Sequence, residues 1–215
     1  MAERGRRPDV PNVPLLSTRA LDDAARLRWP GGPVVLAPAV AYEAVDIHPR
    51  DAPYRPILAV TTPRSVSVAA QLARGRTVWA LAYRTAAELA EAGVVVSRAI
   101  NGGVGELLDG AALDDVLLLT SDLGAAAAAE RWPGLATLVT HRTLCPAELP
   151  APARAVLDSG VAFDVLVASP SAVHNLEKLA PGVLSLARRV YAHGGSTLRA
   201  AQSLHPTPEP FTLRD

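Results

Sequence analysis

Residues 57–66 read ILAVTTPRSV, and residues 165–173 read VLVASPSAV. Each stretch is a short, continuous apolar run that ends in a hydroxyl residue followed by proline. A continuous apolar run is typical of a strand buried on both faces of a parallel sheet. Proline is favoured at the first position of a helix, behind a Ser or Thr cap. Both stretches therefore predict a buried strand that leads directly into a helix.

The same alternation continues along most of the chain. Apolar runs predict strands at Leu15–Ser17, Val34–Leu36, Ile57–Thr61, Val78–Leu81, Val94–Val96, Val116–Thr120, Leu138–Thr140, Val165–Ala168 and Val190–Ala192. Helices are expected at 18–28, 63–74, 85–92, 123–131, 148–159, 170–180 and 196–203. Strand–helix alternation of this kind indicates an α/β protein with doubly wound parallel sheets.

Two proline-rich breaks interrupt this alternation, at Ala41–Pro56 and at His141–Pro152. We interpret them as paired linkers, at 43–48 and 141–147, between two small flavodoxin-like lobes. Lobe 1 is then discontinuous and combines residues 1–42 with 148–215, whereas lobe 2 spans residues 49–140.

Two motifs that recur in both predicted lobes indicate an internal duplication. Val60–Val66 is similar to Ala168–Val173, and Ala80–Ala86 is similar to Tyr191–Thr197, at a nearly constant offset. Each copy reads as a strand, a hydroxyl–Pro helix start, and a second strand that ends in a Thr at a helix start.

The composition excludes several classes of function. The 215 residues carry 21 basic and 21 acidic side chains, so no net charge favours nucleic acid or a membrane surface as a partner. No apolar run approaches the ~18–20 residues of a membrane helix or follows the basic start, and we expect a cytoplasmic protein. The single cysteine, Cys145, excludes an intramolecular disulfide. Phosphate-loop, dinucleotide, zinc and nucleophile-elbow motifs are absent, so we expect no metal and no organic cofactor.

The candidate site lies where predicted strands end. In parallel α/β sheets, ligands bind beyond the carboxyl ends of the strands, where helix N-termini present free N–H groups. Thr62 and Ser169 stand at such ends in the first motif, and Thr85 and Thr197 in the second. Helix capping explains each pair by itself, but the repetition predicts a donor-rich cleft between the lobes. Such a cleft suits a molecule with several anionic groups.

Five other polar residues are each open to two interpretations. His141 and Arg142 stand in the second predicted linker, where they face either the cleft or solvent. His174 and His193 either contribute to binding or lie on the surface. Asp122 follows a predicted strand and either belongs to the site or only caps the next helix.

Six short motifs occur in a defined order: Thr18-Arg19, TTPRSV at 61–66, AYRTA at 82–86, HRT at 141–143, SPSAV at 169–173 and HGGST at 193–197. In order and spacing they resemble the motifs of the uroporphyrinogen-III synthase family, the cyclases that close the tetrapyrrole ring. The resemblance covers roughly residues 13–208.

The resemblance implies two α/β lobes, no cofactor, and hydroxymethylbilane, a linear polycarboxylate tetrapyrrole, as substrate. The terminal hydroxyl leaves as water to give an azafulvene cation, and a spiro intermediate then closes with the far ring inverted. By position, His141, Thr85 and Thr197 are the expected catalytic residues. Substrate-binding residues are expected at Thr18, Arg19, Thr62, Arg64, Arg142, Ser169, Ser171, Gly195 and Ser196. The arginines are our own candidates for salt bridges to carboxylates. We expect a monomer with no nucleic-acid or membrane partner.

The chain departs from the family pattern in three places. The linker tyrosine, the family's candidate for proton transfer, is His141 here, and a histidine also moves protons near neutral pH. Asp122 stands near the place of a basic residue, where a carboxylate would repel a polycarboxylate. The last strand and helix are compressed into residues 204–215. Two alternatives therefore stay open. The first is this fold with changed or lost chemistry, as a cyclase of another pathway or a tetrapyrrole-binding regulator, and the second is an unrelated two-lobed binding protein.

Overall fold

The computed structural model describes residues 12–19, 29, 31–205 and 207–211. The helix expected at 18–28 lies almost entirely outside these residues. The chain divides into two compact units: unit 1 combines Met1–Ala41 with Leu144–Asp215, and unit 2 is Tyr42–Thr143. Unit 1 is therefore discontinuous in sequence.

In chain order the strands are β1 (Leu15–Ser17), β2 (Val34–Leu36), β3 (Ala41–Ala44), β4 (Ile57–Val60), β5 (Thr77–Leu81), β6 (Val96–Ile100), β7 (Val116–Ser121), β8 (Ala136–Leu144), β9 (Asp164–Val167), β10 (Arg189–Ala192) and β11 (Glu209–Pro210). The helices are α1 (Val66–Leu72), α2 (Tyr83–Glu91), α3 (Val104–Leu107), α4 (Asp122–Arg131), α5 (Ala151–Asp158), α6 (Pro170–Leu179), α7 (Val183–Leu186) and α8 (Gly195–Gln202). Short 3₁₀ turns lie at Pro49–Asp51, Pro63–Ser65 and Leu113–Asp115.

Unit 1 is built on a five-stranded sheet with the order β11-β10-β9-β1-β2. The neighbouring strands are parallel. Val165 and Val167 of β9 pack into a core with residues of α6 and α7. Leu166, between them, belongs to a second cluster with Leu15 and Tyr191. Because successive side chains of a strand point to opposite faces, this division shows that β9 is buried on both sides.

Unit 2 is built on a six-stranded sheet with the order β3-β8-β7-β4-β5-β6. The pairs from β8 to β6 are parallel. Leu58 and Val60 of β4 pack into one core with α1 and α2, whereas Ala59 packs into another with Leu107 of α3 and Ala128 of α4. The α/β class with doubly covered parallel sheets, predicted from the continuous apolar runs, is confirmed.

An ion pair between the buried Asp164 and the exposed Arg188 ties β9 to the segment before β10. The Asp164 carboxylate is fully buried. It accepts two hydrogen bonds from the Arg188 guanidinium, at 2.9 and 2.7 Å. A buried carboxylate needs such a partner because the loss of its hydration would otherwise be uncompensated.

Several element bounds differ from the sequence prediction. The strand expected at Val94–Val96 begins at Val96, because the N–H of the buried Val94 donates to Leu89 O and closes the end of α2. Residues 41–44 and 141–144, which lie in the predicted breaks, form β3 and the end of β8, which are neighbours in the sheet. The short helices α3 and α7 and the two-residue strand β11 have too little apolar periodicity to be predicted.

Within the described residues, no helix combines the length and the apolar character that a membrane crossing requires.

Candidate functional site

The carboxyl ends of the parallel strands gather the candidate residues at one edge of each sheet. In unit 2, β4 leads into the Pro63–Ser65 turn, β5 into α2, and β7 into α4. In unit 1, β9 leads into α6 and β10 into α8. Each edge therefore collects helix N-termini, where unpaired N–H groups favour anions.

The first repeated motif forms a capped helix start in both units. The Thr62 hydroxyl accepts a hydrogen bond from Arg64 N at 3.3 Å. The Ser169 hydroxyl accepts one from Ala172 N at 3.1 Å. Each is followed by proline, which lacks an N–H and suits the first helical position. The two hydroxyls thus act as helix caps, as the capping interpretation predicts.

The second repeated motif is a tight strand–helix turn with the same backbone in both units. Ala82 has φ 71° and ψ 136°, and Gly194 has φ 82° and ψ 156°. Among the described non-glycine residues, Ala82 alone has a positive φ. This conformation is close to a region that glycine populates and that other residues enter only under strain. The equivalence of Ala82 and Gly194 supports the duplication inferred from the sequence.

Thr85 and Thr197 occupy the third position of the helices that follow these turns. Both are buried, with exposures of 0% and 2%. The Thr85 hydroxyl has no hydrogen-bond partner within the described part of the chain. A buried hydroxyl without a partner costs free energy, so it marks a place where a ligand atom could complete the bonding. Asn101 Oδ1 accepts the first N–H of α2, from Tyr83, at 3.0 Å.

His141 lies inside β8, is only 5% exposed, and is hydrogen-bonded to the buried hydroxyl of Thr140. Its Nδ1 is 3.0 Å from Thr140 Oγ1, which donates to Thr120 O at 3.2 Å. Thr140 Oγ1 is also 2.7 Å from Oγ of Ser65, the last residue of the Pro63–Ser65 turn. The sequence predicts His141 in a linker that faces either the cleft or solvent. In the structure it is instead a buried residue of a strand.

Two charged groups and one aromatic ring surround this imidazole. The Tyr42 ring contacts it edge-on at a centroid distance of 5.7 Å. The Arg64 guanidinium stacks on the same Tyr42 ring at 3.6 Å. Burial lowers the pKa of His141 below its ordinary value of 6.5, Arg64 lowers it further, and Asp122 opposes both. His141 is therefore neutral at pH 7.

Arg142 contacts a residue of β3, and Asp122 contacts a residue of β8. The exposed Arg142 forms a 3.4 Å ion pair with Glu43. Asp122 Oδ1 accepts a hydrogen bond from Thr143 N at 2.9 Å. The cap of α4 is Ser121, whose hydroxyl accepts from Gly124 N at 3.1 Å. The capping interpretation of Asp122 is therefore wrong, because its carboxylate bonds to β8 instead.

The candidate residues of unit 1 differ in how accessible they are. The Thr18 hydroxyl is buried and donates to Leu166 O at 3.1 Å while accepting from Ala168 N at 2.9 Å. It therefore joins β1 to β9. Ser169 and Ser171 are half-buried, and their hydroxyls lie 3.0 Å apart. Gly195 and Ser196, at the start of α8, are exposed.

Arg19 is half-buried directly after β1, and its N–H donates to Ser17 Oγ at 3.4 Å. His174 and His193 are both exposed.

The structure thus brings Arg64 and His141 into contact with the same aromatic ring, that of Tyr42. Three residues that were not selected from the sequence also lie at this place. These residues are Tyr42, Ser65 and Thr140, of which Tyr42 carries no recognisable motif and is far along the chain from His141. Ser65 lies within the TTPRSV motif, and Thr140 directly precedes His141, so proximity to motif residues was the available signal. Among the described residues, no cluster of His, Cys, Asp and Glu has the geometry of a metal site.

The chain consists of two α/β units, each built on a sheet of mainly parallel strands with helix starts at its carboxyl edge, which defines a class of two-unit α/β proteins. Within that class, the fold is that of the uroporphyrinogen III synthases. The chain is similar to a mutant synthase from the extremely thermophilic bacterium Thermus thermophilus, with 18% sequence identity, a TM-score of 0.57, and coverage of 92% of this chain and 90% of that chain.

It is also similar to uroporphyrinogen-III synthetase from Helicobacter pylori 26695, with 11% identity, a TM-score of 0.55, and coverage of 92% and 91%. No protein-family model and no curated protein matches the sequence. At these identities the likeness establishes the fold alone.

Proposed function

We propose that this protein is a uroporphyrinogen III synthase, which converts hydroxymethylbilane into uroporphyrinogen III and water. The observation that carries the proposal is the likeness of its fold, over 92% of the chain, to solved structures of that synthase. The order of the six sequence motifs supports it independently.

The carboxyl edge of each unit offers groups that suit the substrate's carboxylates. In unit 2 these are the capped turn at Thr62 and the guanidinium groups of Arg64 and Arg142. In unit 1 they are Arg19, the start of α6 at Ser169 and Ser171, and the exposed start of α8 at Gly195 and Ser196. Arginine forks bind carboxylates through paired charge-assisted hydrogen bonds. Arg142 would have to exchange its exposed ion pair with Glu43 for a substrate carboxylate, which costs little in solvent.

The chemistry requires protons to be moved at few points. The terminal hydroxyl leaves with a proton as water, and ring closure releases a proton from the carbon that forms the new bond. His141, neutral at pH 7, is suited to accept that proton. The unpartnered hydroxyl of Thr85, with Thr197 at the equivalent place in unit 1, is suited to hydrogen-bond the reacting end of the substrate. The remaining rate enhancement comes from holding one conformation of a reactive intermediate.

We further propose that the reaction needs no metal and no organic cofactor. This proposal follows from the reaction itself, which is a rearrangement with loss of water and transfers no electrons to an acceptor. Activity that survives exhaustive dialysis against a chelator is the expected result.

The test is a coupled assay. Hydroxymethylbilane is generated enzymatically, the purified protein is added, the products are oxidised, and the type I and type III porphyrins are separated by chromatography. We expect mostly type III. His141→Phe is expected to lower the yield of type III, whereas His174→Phe, at an exposed histidine of α6, serves as the matched control. Type I alone from the folded wild-type protein would overturn the proposal.

A second candidate function is tetrapyrrole binding without cyclisation. Asp122 favours it, because this half-buried carboxylate lies near His141 at the carboxyl edge of unit 2 and would repel a substrate carboxylate from the proposed catalytic group. Binding of a porphyrin polycarboxylate together with exclusive type I product in the coupled assay would distinguish it from the synthase.

A further inference from the structure

A chain of three buried polar side chains runs from the Pro63–Ser65 turn to His141. Ser65, Thr140 and His141 have exposures of 0%, 3% and 5%. Thr140 Oγ1 is at the centre, 2.7 Å from Ser65 Oγ, 3.0 Å from His141 Nδ1 and 3.2 Å from Thr120 O. In the described part of the chain, Nδ1 is the ring nitrogen for which a hydrogen bond is found.

The number of protons decides how these groups are bonded. The Thr140 hydroxyl has one proton and two lone pairs. Thr120 O is a backbone carbonyl and can only accept, so the Thr140 proton is directed to it. The two lone pairs of Thr140 Oγ1 then accept from Ser65 Oγ–H and from the imidazole. This arrangement satisfies all of the buried groups at once, which a buried network requires.

We propose that Thr140, supported by Ser65, holds His141 in the Nδ1–H tautomer and thereby leaves Nε2 as the nitrogen that gains and loses a proton. The tautomer of a histidine is set by the hydrogen bond that its other nitrogen makes. Thr140 and Ser65 are thus positioning residues. The consequence for catalysis, that protons are exchanged at Nε2, rests on the proposed function, whereas the tautomer itself does not.

Among the described residues, the other groups around the ring form no hydrogen bond with it and act on its charge. Arg64, from the Pro63–Ser65 turn, disfavours the imidazolium, and Asp122, at the start of α4, favours it. Tyr42, from β3, contacts the imidazole edge-on through its aromatic ring. The hydroxyl of Thr140 is therefore the group that distinguishes Nδ1 from Nε2.

The experiment is nitrogen NMR of the full chain, with ¹⁵N-labelled histidine and with the His141 signals assigned by His141→Gln. In the neutral form we expect a protonated, pyrrole-type signal for Nδ1 and an unprotonated, pyridine-type signal for Nε2. The reverse assignment in the wild-type protein would overturn the proposal, without the need for any variant.

Variants identify the hydroxyl that is responsible. Thr140→Val removes it at nearly constant shape and should shift the population towards the Nε2–H form. Thr140→Ser keeps the hydroxyl and should keep the Nδ1–H form, even if the valine variant does not fold. Thr137→Val is the matched control on β8, where no hydroxyl partner is found among the described residues, and it should leave the spectrum unchanged. A shift of equal size in Thr137→Val, or a loss of the Nδ1–H form in Thr140→Ser, would contradict the assignment.

The two proposals fail separately. If the wild-type protein has the Nδ1–H tautomer but yields only type I porphyrin, the positioning proposal stands and the proposed synthase function is refuted. If it yields type III porphyrin but has the Nε2–H tautomer, the proposed synthase function stands and the positioning proposal is refuted. If both hold, the turnover rate of Thr140→Val should fall at least tenfold at pH 7 while KM changes little, and Thr140→Ser should recover most of the rate.

Discussion

The strained turn at Ala82 provides a test of the duplicated architecture by two opposite substitutions. Ala82 has φ 71°, and its counterpart Gly194 has φ 82°. Holding a non-glycine residue in such a region costs about 1–3 kcal/mol. Replacing alanine with glycine also raises the conformational entropy of the unfolded chain, which lowers the free energy of unfolding by about 0.4–1 kcal/mol. Ala82→Gly should therefore stabilise the protein by about 1 kcal/mol.

Gly194→Ala should destabilise it by a similar amount. A Cβ added at Gly194 would meet no atom within 4 Å, so the loss comes from backbone strain and not from a clash. Each unit holds roughly 100 residues, for which 1 kcal/mol corresponds to a shift in melting temperature of about 4–8 °C. The two variants should thus move the melting temperature in opposite directions.

The measurement is thermal unfolding followed by circular dichroism, with calorimetry to separate transitions if the units unfold independently. Ala92→Gly, at the C-cap of α2 with φ −80°, is the control for the general effect of an added glycine and should destabilise slightly. A melting temperature of Ala82→Gly equal to or below that of Ala92→Gly would refute the assignment of strain to Ala82.

Four further predictions concern individual side chains. Because burial and Arg64 lower the pKa of His141, the unfolded chain binds more protons than the folded one as the pH falls below about 6.5. Stability should therefore decline in that range, and His141→Phe should flatten its pH dependence. Identical pH dependences of stability in the wild-type protein and in His141→Phe would contradict the lowered pKa of His141. Thr85→Val replaces an unpartnered buried hydroxyl with a methyl group and should raise the free energy of unfolding by about 1 kcal/mol while slowing turnover. Thr197→Ala should also slow turnover with the fold intact, as judged by circular dichroism, and loss of the fold would assign it a structural role. Arg188→Leu leaves the fully buried Asp164 carboxylate without its partner and should cost about 3 kcal/mol in urea unfolding, and Asp164→Asn in the same chain should recover part of the loss.

Much of the fold is predictable from short segments, because burial of a parallel strand on both faces leaves a continuous apolar run. The run at residues 57–60 and the run at 165–167 each predict a strand that the structure contains. The Thr62-Pro63 and Ser169-Pro170 pairs predict helix starts, since the cap and the proline act within a few residues. The strand at residues 41–44 was not predicted, because an edge strand with a mixed, mostly exposed sequence carries no such local signal.

The α/β class, the duplicated motifs and the hydroxyl side chains at strand ends can all be inferred from the amino-acid sequence, because they depend on interactions between near neighbours. The environment of His141, in contrast, is set by the folding of the chain. Its partners come from β3, the Pro63–Ser65 turn and α4, and the Ser65–Thr140 bond joins residues 75 positions apart. Such long-range contacts leave no periodicity in the sequence, because each residue type is chosen by a neighbour that is distant along the chain. For the same reason, the buried state of the imidazole and its lowered pKa follow from packing and not from the HRT motif.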